Sequence, residues 1–439
     1  MNHLITQRCS GWGRYPGIDA AVSEPRDLQA LRDQLRALSP GDRVPRGRGR
    51  SYGDAALAPE IISSRWLDEL IDLDEDAGIL RCGAGTTLAT LIEVLLPGGW
   101  MLPVVPGTAE VSVAGAVAAD VHGKNHHLDG CFSGYVDSLR LMNGEGEVIE
   151  CSAQQHPEVF RATCGGMGLT GYIVDVSLRL TRVPGPMIRQ RCLRTGNLQE
   201  TLVALAEHND SPYSVAWLDC MSRGHNAGRS LVFLGEHYRA PPVAAPGPAK
   251  LNIPFSTPGL LLNQYTIRGF NALYYRIAGR AEHQILHSHR YFFPLDGIRH
   301  WNRLYGRRGF LQYQFVVPDA SAAQTIRSVL ARTRKAGIGS FLSVLKRTGP
   351  ANRNPLSFPL SGYTLALDFK YHPDLLPLLD MLDDVIAEAG GRVYLAKDAR
   401  LSQERFQRMY PHWEAFVETR RALGAHHHFN SLQSRRLGL

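Results

Sequence analysis

The sequence predicts an α+β protein of two domains, one of them built on an antiparallel sheet. With 439 residues, the chain is long enough for two or three domains. Hydrophobic residues make up 44% and charged residues 20%, which excludes a disordered, collagen-like or coiled-coil chain. Beyond residue 310 the elements follow the order strand, helix, strand, strand, helix, strand, which favours an antiparallel sheet with helices on one face.

The first part of the chain consists of short strands separated by glycine turns. Residues 78–100 predict a strand and then a helix over 87–96, with Thr86 or Thr87 as its N-cap. Alternating residues on both sides of 143–146 predict a hairpin. A short helix, a glycine turn and a strand are expected over 156–180.

Two proline-rich stretches interrupt the rest of the chain. Residues 183–186 are a candidate linker, and residues 240–258 are expected to form a mobile loop. The elements predicted after this loop are a strand over 310–318, a helix over 320–337, strands over 341–349 and 363–371, a helix over 375–391, and a strand over 392–400.

The formal net charge of +7 favours an anionic ligand, an acidic membrane surface or a nucleic acid, although an ordinary basic enzyme would also fit. A nucleic-acid-binding protein is disfavoured because the charges are scattered and no binding motif is present. Seven cysteines without a CxxC pair argue against a disulfide framework or zinc site and favour a reducing compartment. We expect no secretory signal and no membrane-spanning segment.

Three glycine-rich segments stand out in the first half of the chain: residues 47–54, 106–116 and 165–171. Glycine lets successive backbone amides approach a phosphate, and Arg48 and Arg50 add positive charge. One such loop would usually be only a turn, but three beside strands predict an extended diphosphate ligand. The third segment lies between a helix and a strand, and the P-loop pattern is absent, so a Rossmann or P-loop mode of binding is disfavoured.

Residues 121–127 (VHGKNHH) form the most polar cluster of this half. A functional interpretation has His122, Lys124 and Asn125 contacting an anionic cofactor, and a plain polar loop is the alternative. A metal site is disfavoured, because adjacent His126 and His127 would point in opposite directions on a strand and no carboxylate pair lies nearby. The histidines at 426–428 are expected to be a solvated surface run.

The motifs GRGRSYGD, PGT…VAGAVAADVHGKNHH and GGMGLTG resemble the FAD-binding domain of the vanillyl-alcohol oxidase/p-cresol methylhydroxylase (PCMH) superfamily. Within it the chain is similar, almost end to end, to flavoenzymes that oxidise polyprenyl-phosphate pentoses. The resemblance implies a two-domain PCMH-type FAD-binding fold with an antiparallel-sheet substrate (cap) domain. The implied parts are an FAD-binding domain over 1–185, a substrate-binding domain over 186–390, and a C-terminal segment over 391–439 that returns to the FAD domain.

The resemblance also implies the residues that hold FAD. The backbone amides of the second glycine segment and of the run before His122 would assist the first loop. Arg50 stands where many members carry a histidine bonded covalently to the flavin, so we expect non-covalent FAD. The expected cofactor-binding residues are Pro45, Arg46, Gly47, Arg48, Gly49, Arg50, Ser51, Tyr52, Gly53, Asp54, Ala55, Gly107, Ser112, Val113, Ala114, Gly115, Ala119, Asp120, Val121, His122, Lys124, Ile173 and Tyr394.

Candidate substrate residues lie in the second half of the chain. Gln312 and Gln314 share one face of an apolar strand, which suggests a ligand pocket, although an exposed sheet edge would look the same. Lys346 ends an apolar run and Lys397 follows Tyr394. A buried lysine can act as a base or bind phosphate, whereas a lone lysine is usually solvated. By resemblance, the catalytic residues are Lys397, Tyr52 and His122, and the substrate residues are Gln312, Gln314, Lys346 and Lys397.

The implied activity is oxidation of the 2-hydroxyl of a polyprenyl-phosphate pentose to a ketone. It would be the first half of an epimerisation to the arabinose form, for an arabinan precursor of the cell wall, completed by an NAD(P)H-dependent partner reductase. An oxidase of a free sugar, alditol or aldonolactone is the alternative. The expected location is cytoplasmic, and residues 253–262 are a candidate for peripheral contact with the inner membrane. One departure, Thr364-Leu365-Ala366 in place of Asn-Ile-Cys, leaves the exact sugar open. If the chain is active, no cysteine is required at that position.

Overall fold

The computed structural model describes residues 4–37, 39–241, 251–258 and 262–439. Its strands are β1 (Ile5–Ser10), β2 (Gly17–Ser23), β3 (Arg43–Arg46), β4 (Glu60–Ser63), β5 (Leu70–Asp74), β6 (Ile79–Gly83), β7 (Trp100–Met101), β8 (Val136–Met142), β9 (Val148–Ser152), β10 (Tyr172–Arg179), β11 (Thr181–Arg182), β12 (Met187–Thr195), β13 (Tyr213–Leu218), β14 (Ser230–Tyr238), β15 (Leu251–Asn252), β16 (His283–His287), β17 (Ile298–Arg299), β18 (Phe310–Pro318), β19 (Ser343–Thr348), β20 (Gly362–Lys370) and β21 (Arg392–Val393). Its helices are α1 (Leu28–Ala37), α2 (Leu88–Leu95), α3 (Val113–Ala118), α4 (His126–Asp129), α5 (Pro157–Thr163), α6 (Leu198–Glu207), α7 (Gln264–Ala278), α8 (Ser288–Phe292), α9 (Asp319–Lys335), α10 (Leu375–Glu388), α11 (Gln403–Met409), α12 (Trp413–Ala422) and α13 (Leu432–Leu437).

Two sheets form the first part of the molecule. One has the order β1-β2-β4-β3 and the other the order β5-β6-β10-β8-β9. The predicted helix after β6 is confirmed as α2, and Thr87 is its N-cap because its hydroxyl accepts the Thr90 backbone N–H at 3.1 Å. The predicted hairpin is confirmed as β8 and β9, and the predicted helix and strand that follow are confirmed as α5 and β10.

An eight-stranded sheet forms the second part, with the order β16-β12-β14-β13-β19-β20-β18-β21. The predicted antiparallel arrangement is confirmed, because β18 pairs antiparallel with β20, and β20 with β19. Alternation along β18 buries Tyr313, Phe315 and Val317 in the same core as Ile326 of α9 and Leu382 of α10. α9 and α10 therefore cover one face of the sheet, and the opposite face carries the polar residues of β18 and β20. These findings confirm the α+β fold class.

The predicted strand over 392–400 is wrong beyond its first two residues. β21 ends at Val393, and residues Leu395–Lys397 form a single 3-10 turn in which the Lys397 N–H donates to the Tyr394 carbonyl at 2.9 Å. Tyr52 explains the turn, because its backbone N–H donates to the Ala396 carbonyl. In a continued strand, this carbonyl would have accepted a hydrogen bond within the sheet. His126 and His127 likewise begin the short helix α4 rather than lying on a strand.

The C-terminal helices pack against both parts of the chain. Arg436 of α13 forms ion pairs with Asp54 at 2.8 Å and with Asp398 at 2.9 Å, which joins the first glycine loop to the turn that carries Lys397. The domain boundaries at 185 and 390 stay a prediction. Of the predicted mobile loop over 240–258, residues 242–250 lie outside the described part. Among the helices of the described ranges, none is long and apolar enough to cross a bilayer.

Candidate active site

The three glycine segments converge around α3. A Cβ atom on Gly47 would lie 2.0 Å from the Ser112 hydroxyl, so the first loop packs directly on the second. In the third, the Gly165 and Met167 N–H groups donate to the carbonyls of Val117 and Ala118 at 3.0 and 2.9 Å. Segments more than 100 positions apart in the chain therefore surround one short helix.

The first loop presents a row of free backbone donors. Within the described residues, the N–H groups of Arg48, Gly49, Arg50 and Ser51 have no hydrogen-bond partner in the chain. Gly49 has a φ of +63°, a left-handed conformation that occurs in the backbone nests that bind anions, and we call residues 48–51 the glycine nest. Successive unpaired amides beside arginines suit a diphosphate, so the residues present fit the predicted FAD.

The expectation that the amides of the second segment bind the cofactor is not met for most of them. The N–H groups of Val113, Ala114 and Gly115 donate to Thr86, Ala84 and the Ser112 hydroxyl, and those of Ala119, Asp120 and Val121 donate within α3. Small residues on one face of α3 and at its C-terminus nevertheless stay partly exposed: Ala114, Gly115, Ala118 and Ala119. Cofactor contact through this face stays a prediction.

Other predicted cofactor residues hold the first glycine loop or pack near α3. Arg46 donates to the carbonyls of Ser10 and Ala56, and buried Asp54 pairs with Arg436. Tyr394 donates its hydroxyl to the Ala119 carbonyl at 2.8 Å and has its ring centroid 5.2 Å from that of His122. Ile173 is buried in the core that holds α3.

The Lys124 ammonium is engaged by Tyr291. It donates to the backbone carbonyl of Tyr291 and lies 4.1 Å above the ring centroid of that residue. Burial lowers the pKa of Lys124 to about 7. The role of Lys124 as a cofactor contact stays a prediction. Neighbouring Asn125 donates to the Pro103 carbonyl and Asp129, which fixes the backbone of this turn. Among the residues described, no cluster of three His, Cys, Asp or Glu side chains could hold a metal ion.

A polar patch lies on the face of the eight-stranded sheet opposite α9 and α10. Gln312 and Gln314 lie on this face, as the alternation in the sequence predicts. The Gln314 amide donates to His122 Nε2 at 3.0 Å and to the Thr364 hydroxyl at 3.2 Å. Because Nε2 accepts, His122 is neutral with its proton on Nδ1, and that buried atom has no partner in the described chain. An orphaned donor of this kind also fits a group bound beside His122.

Lys346 extends from the same sheet face to the FAD-binding part. Its Nζ donates to the Gly123 carbonyl at 3.3 Å, and its backbone pairs with Thr364. Burial lowers the pKa of Lys346 to about 8, which keeps it mostly protonated at neutral pH. Burial and the Lys346 charge together hold the pKa of His122 well below its usual range.

Lys397 lies across from this face, on the 3-10 turn after β21. Its Nζ is 3.7 Å from the ring centroid of Tyr52, and no carboxylate oxygen of the described residues lies within 4 Å of it. Burial lowers the pKa of Lys397 to about 7, with Asp368 opposing this shift and Lys346 adding to it. A lysine with such a pKa is available as a base near neutral pH. The structure thus brings together the predicted Lys397, Tyr52, His122, Gln312, Gln314 and Lys346.

Two aspartates have side chains at central positions of the site, and no role of these side chains was predicted from the sequence. Asp368 of β20 faces Gln312, whose amide donates to it at 2.6 Å. The signal was present, since Thr364 and Asp368 lie on one face of an apolar strand. Asp120 was expected to offer only its backbone, but its carboxylate accepts from the Ser133 N–H and from Asn352, Asn354 and Ser357 at 2.6 to 3.1 Å.

The Asp120 contacts fix the segment that follows β19. This segment carries Phe358, whose ring stacks on Tyr394 with centroids 4.6 Å apart and lies 5.4 Å from His122. His126 adds a second anchor, because its Nδ1 accepts the Gly349 N–H at 3.0 Å. The polar cluster at 121–127 therefore shapes the site by holding the neighbouring loop.

Comparison with known proteins also supports an FAD-binding domain. Residues 20–152 match the family model described as FAD binding domain. The chain is 35% identical to decaprenylphosphoryl-beta-D-ribose oxidase of Mycolicibacterium smegmatis, over 99% of this chain and 98% of that protein. It is 33% identical to an uncharacterized protein of Streptomyces coelicolor, over 80% of this chain and all of that one. D-arabinono-1,4-lactone oxidase of Kluyveromyces lactis is 34% identical, but over 30% of this chain and 26% of its own length.

The protein is an FAD-dependent oxidoreductase that acts on a CH–OH group. Three findings support this class: the free amides of the first glycine loop, the match to an FAD-binding domain, and the buried Lys397. Arabinonolactone oxidases share only part of this chain. The chain belongs to the decaprenylphosphoryl-β-D-ribose oxidase family, whose M. smegmatis member it matches along its whole length.

We expect FAD to be bound without a covalent link. Arg50 replaces the nucleophilic histidine, and its guanidinium is engaged by the Glu110 carboxylate at 3.5 Å and by the Trp12 ring at 4.4 Å. A guanidinium that stays protonated cannot attack the flavin. Precipitating the purified holoenzyme with acid should therefore leave a colourless pellet and a yellow supernatant. Yellow colour that stays with the washed pellet would show a covalent bond.

Proposed function

We propose that the protein oxidises the 2-hydroxyl of decaprenylphosphoryl-β-D-ribose, or a closely similar polyprenyl-phosphate pentose, to the 2-keto sugar. The observation that carries the proposal is the sheet face on which Gln312, Gln314 and Lys346 lie opposite Lys397. It combines uncharged groups for sugar hydroxyls, a cation for a phosphate and a base near neutral pH. The name of the M. smegmatis relative supports the choice of substrate.

Bound FAD supplies the hydride acceptor for such an oxidation. Lys397, in its neutral form, takes the proton of the 2-hydroxyl, since its pKa of about 7 keeps a large share unprotonated at neutral pH. Lys346, which is mostly charged, attracts the phosphate. The amides of Gln312 and Gln314 orient the sugar hydroxyls. The ring of Tyr52 positions the Lys397 ammonium through a cation–π contact. His122 fixes the orientation of the Gln314 amide by accepting its hydrogen bond.

An oxidase of free sugars, alditols or aldonolactones is the second candidate, supported by the partial match to arabinonolactone oxidase. Anaerobic mixing of the holoenzyme with a substrate panel separates the two. We expect decaprenylphosphoryl ribose to bleach the flavin absorbance, and free ribose, xylitol and arabinono-1,4-lactone to leave it unchanged. Bleaching by the free compounds alone would favour the second candidate. Lys346→Ala should raise the concentration of lipid-linked ribose needed for half-maximal bleaching.

We also propose peripheral contact with an anionic membrane and a partner NAD(P)H-dependent reductase that completes the epimerisation. The outer face of α7 supports the membrane contact, because Phe270, Leu273 and Ile277 are 47 to 57% exposed and the helix carries arginines but no acidic residue. Exposed Phe255 belongs to the predicted contact segment 253–262, of which residues 259–261 lie outside the described part. In a co-sedimentation assay, the protein should sediment together with vesicles that contain anionic lipid. Leu273→Ser should lower the fraction of protein in the vesicle pellet.

A further inference from the structure

An apolar groove opens on the surface of the first part of the molecule, outside the candidate active site. It has a volume of about 370 Å³, and its lining from β5, β6 and α2 is apolar apart from Asp72. Leu70 and Ile71 of β5 and Val94 of α2 are 42 to 52% exposed. Large apolar side chains that are exposed around one groove mark a surface that binds a partner.

Carboxylates flank this groove without cations to balance them. The sequence over 68–76 contains no basic residue, and nearby Arg81 is already paired with Asp175 at 3.1 Å. In the described part of the chain, no cationic nitrogen lies within 4 Å of any of seven carboxylates: Asp68, Glu69, Asp72, Asp74, Glu75, Asp76 and Glu93. The groove therefore attracts a segment that is both apolar and basic.

The position of β5 in its sheet indicates the shape of the occupant. β5 is an edge of the five-stranded sheet, so its outer side has no neighbouring strand. Acidic side chains on an edge strand discourage the addition of another strand. An amphipathic helix that places one apolar face in the groove is the remaining common way to cover such a surface.

Helix α7 of this chain has the complementary surface. Its residues Phe270, Leu273 and Ile277 are 47 to 57% exposed and have the i, i+3, i+7 spacing with which a helix fills an apolar groove. Exposed Arg276 and Arg280 lie one turn apart beside them, and α7 contains no acidic residue. No carboxylate oxygen of the described residues lies within 4 Å of either guanidinium.

We propose that, in solution, a second copy of this chain inserts α7 into the groove between β5 and α2. The apolar residues of α7 contact the lining, while its arginines pair with the carboxylates that flank the groove. A second copy is favoured over another protein because both complementary surfaces belong to this chain. Since every copy has a groove and a helix, two copies close a dimer or several copies close a ring.

The contact is small, because one helix in one groove buries less surface than a typical stable interface. The association is therefore weak, and it weakens further as salt screens the charges. An anionic membrane competes for the same face of α7, so the association belongs to the lipid-free protein. It is independent of which substrate the protein oxidises.

Charge exchange tests the pairing on the lipid-free holoenzyme by sedimentation equilibrium. At micromolar concentration and low salt, wild type should have a weight-average mass above that of one chain, and high salt should lower it. Asp72→Lys with Glu93→Lys reverses charge at the groove, and Arg276→Glu with Arg280→Glu reverses charge on α7. Each double variant should be monomeric because like charges then face each other. A chain with all four substitutions should associate again, since its charges are again opposite.

Glu207→Lys with Glu388→Lys is the matched control for the groove variant. Both residues are exposed at the C-terminal ends of α6 and α10, and the net charge changes by the same amount. This variant should associate like wild type. Weakened association of this control to the level of the groove variant would show an effect of net charge alone and would overturn the proposal.

Val94→Ser and Leu273→Ser test the apolar part of the contact from its two sides. Each should lower the association constant by about 5- to 10-fold, because each removes apolar surface that the contact buries. Both residues are exposed, so these variants decide the question should a charge variant not fold. A wild type that is monomeric at low salt would overturn the proposal and leave the groove to a different protein. A folded four-substitution variant that stays monomeric would also overturn it.

Discussion

Lys397→Ala should lower the rate of flavin reduction by about 100- to 10,000-fold while FAD remains bound, because it removes the base that takes the hydroxyl proton. Lys397 lies on the 3-10 turn after β21, where its ammonium lies 3.7 Å from the centroid of the Tyr52 ring. The backbone of that turn is held by the Tyr52 N–H and by the ion pair of Asp398 with Arg436, neither of which needs the lysine side chain. Stopped-flow anaerobic mixing with decaprenylphosphoryl ribose measures the rate, and the visible spectrum reports the bound flavin.

The pH dependence of the same rate provides a second readout. A base with a pKa of about 7 is protonated in acid, so the wild-type rate should rise as the pH increases through about 7. Lys397→Ala should lose this rise as well as the rate. Lys335→Ala changes an exposed lysine at the end of α9 and should leave both unchanged. A Lys397→Ala enzyme that reduces its flavin at a near-normal rate would remove Lys397 from the mechanism.

Asp120→Ala should lower the free energy of unfolding by about 3 kcal/mol, since it leaves the buried donors of Ser133 and Ser357 without an acceptor at about 1–3 kcal/mol each. The Asp120 carboxylate accepts from Ser133, Asn352, Asn354 and Ser357, and it is fully buried. Its φ of +39° adds strain that aspartate tolerates better than alanine. Denaturant unfolding monitored by tryptophan fluorescence measures the loss.

Asp137→Ala is the matched control for this change. Asp137 is half-exposed and lies 3.9 Å from Arg179, so its removal should alter stability by less than about 0.5 kcal/mol. Asp120→Ala should also disturb the flavin spectrum, because Phe358 loses the anchored segment that stacks it on Tyr394. Equal stability of the two variants would show that the Asp120 hydrogen bonds do not hold the segment.

Local signals in the sequence were sufficient for much of the fold. The cap at Thr87, the glycine turn between β8 and β9, and the alternation in β18 each depend on neighbouring residues, and each prediction is confirmed. The strand over 392–400 was mistaken because its end is decided by Tyr52, which lies more than 300 positions earlier. Alternation is only a local preference, and a distant hydrogen-bond partner overrides it.

The candidate site shows the same division. Gln312 and Gln314 could be paired from alternation alone, whereas Asp368 joins them only through the register of β18 with β20. The backbone amides of 113–115 have a glycine-rich sequence that suits a phosphate, yet tertiary contacts with residues 84 and 86 already use two of them. No local pattern reports such long-range pairing. The resemblance to a family placed Lys346 and Lys397 in one pocket, which spacing in the sequence could not do.

The most direct test of the account is the anaerobic reduction of the holoenzyme by decaprenylphosphoryl ribose that carries deuterium at C2. Oxidation of the 2-hydroxyl requires the C2 hydrogen to leave as hydride, so the labelled substrate should bleach the flavin several-fold more slowly than the unlabelled one. The keto product should have lost the deuterium. Bleaching at equal rates, with deuterium retained at C2 of the product, would contradict oxidation at that position.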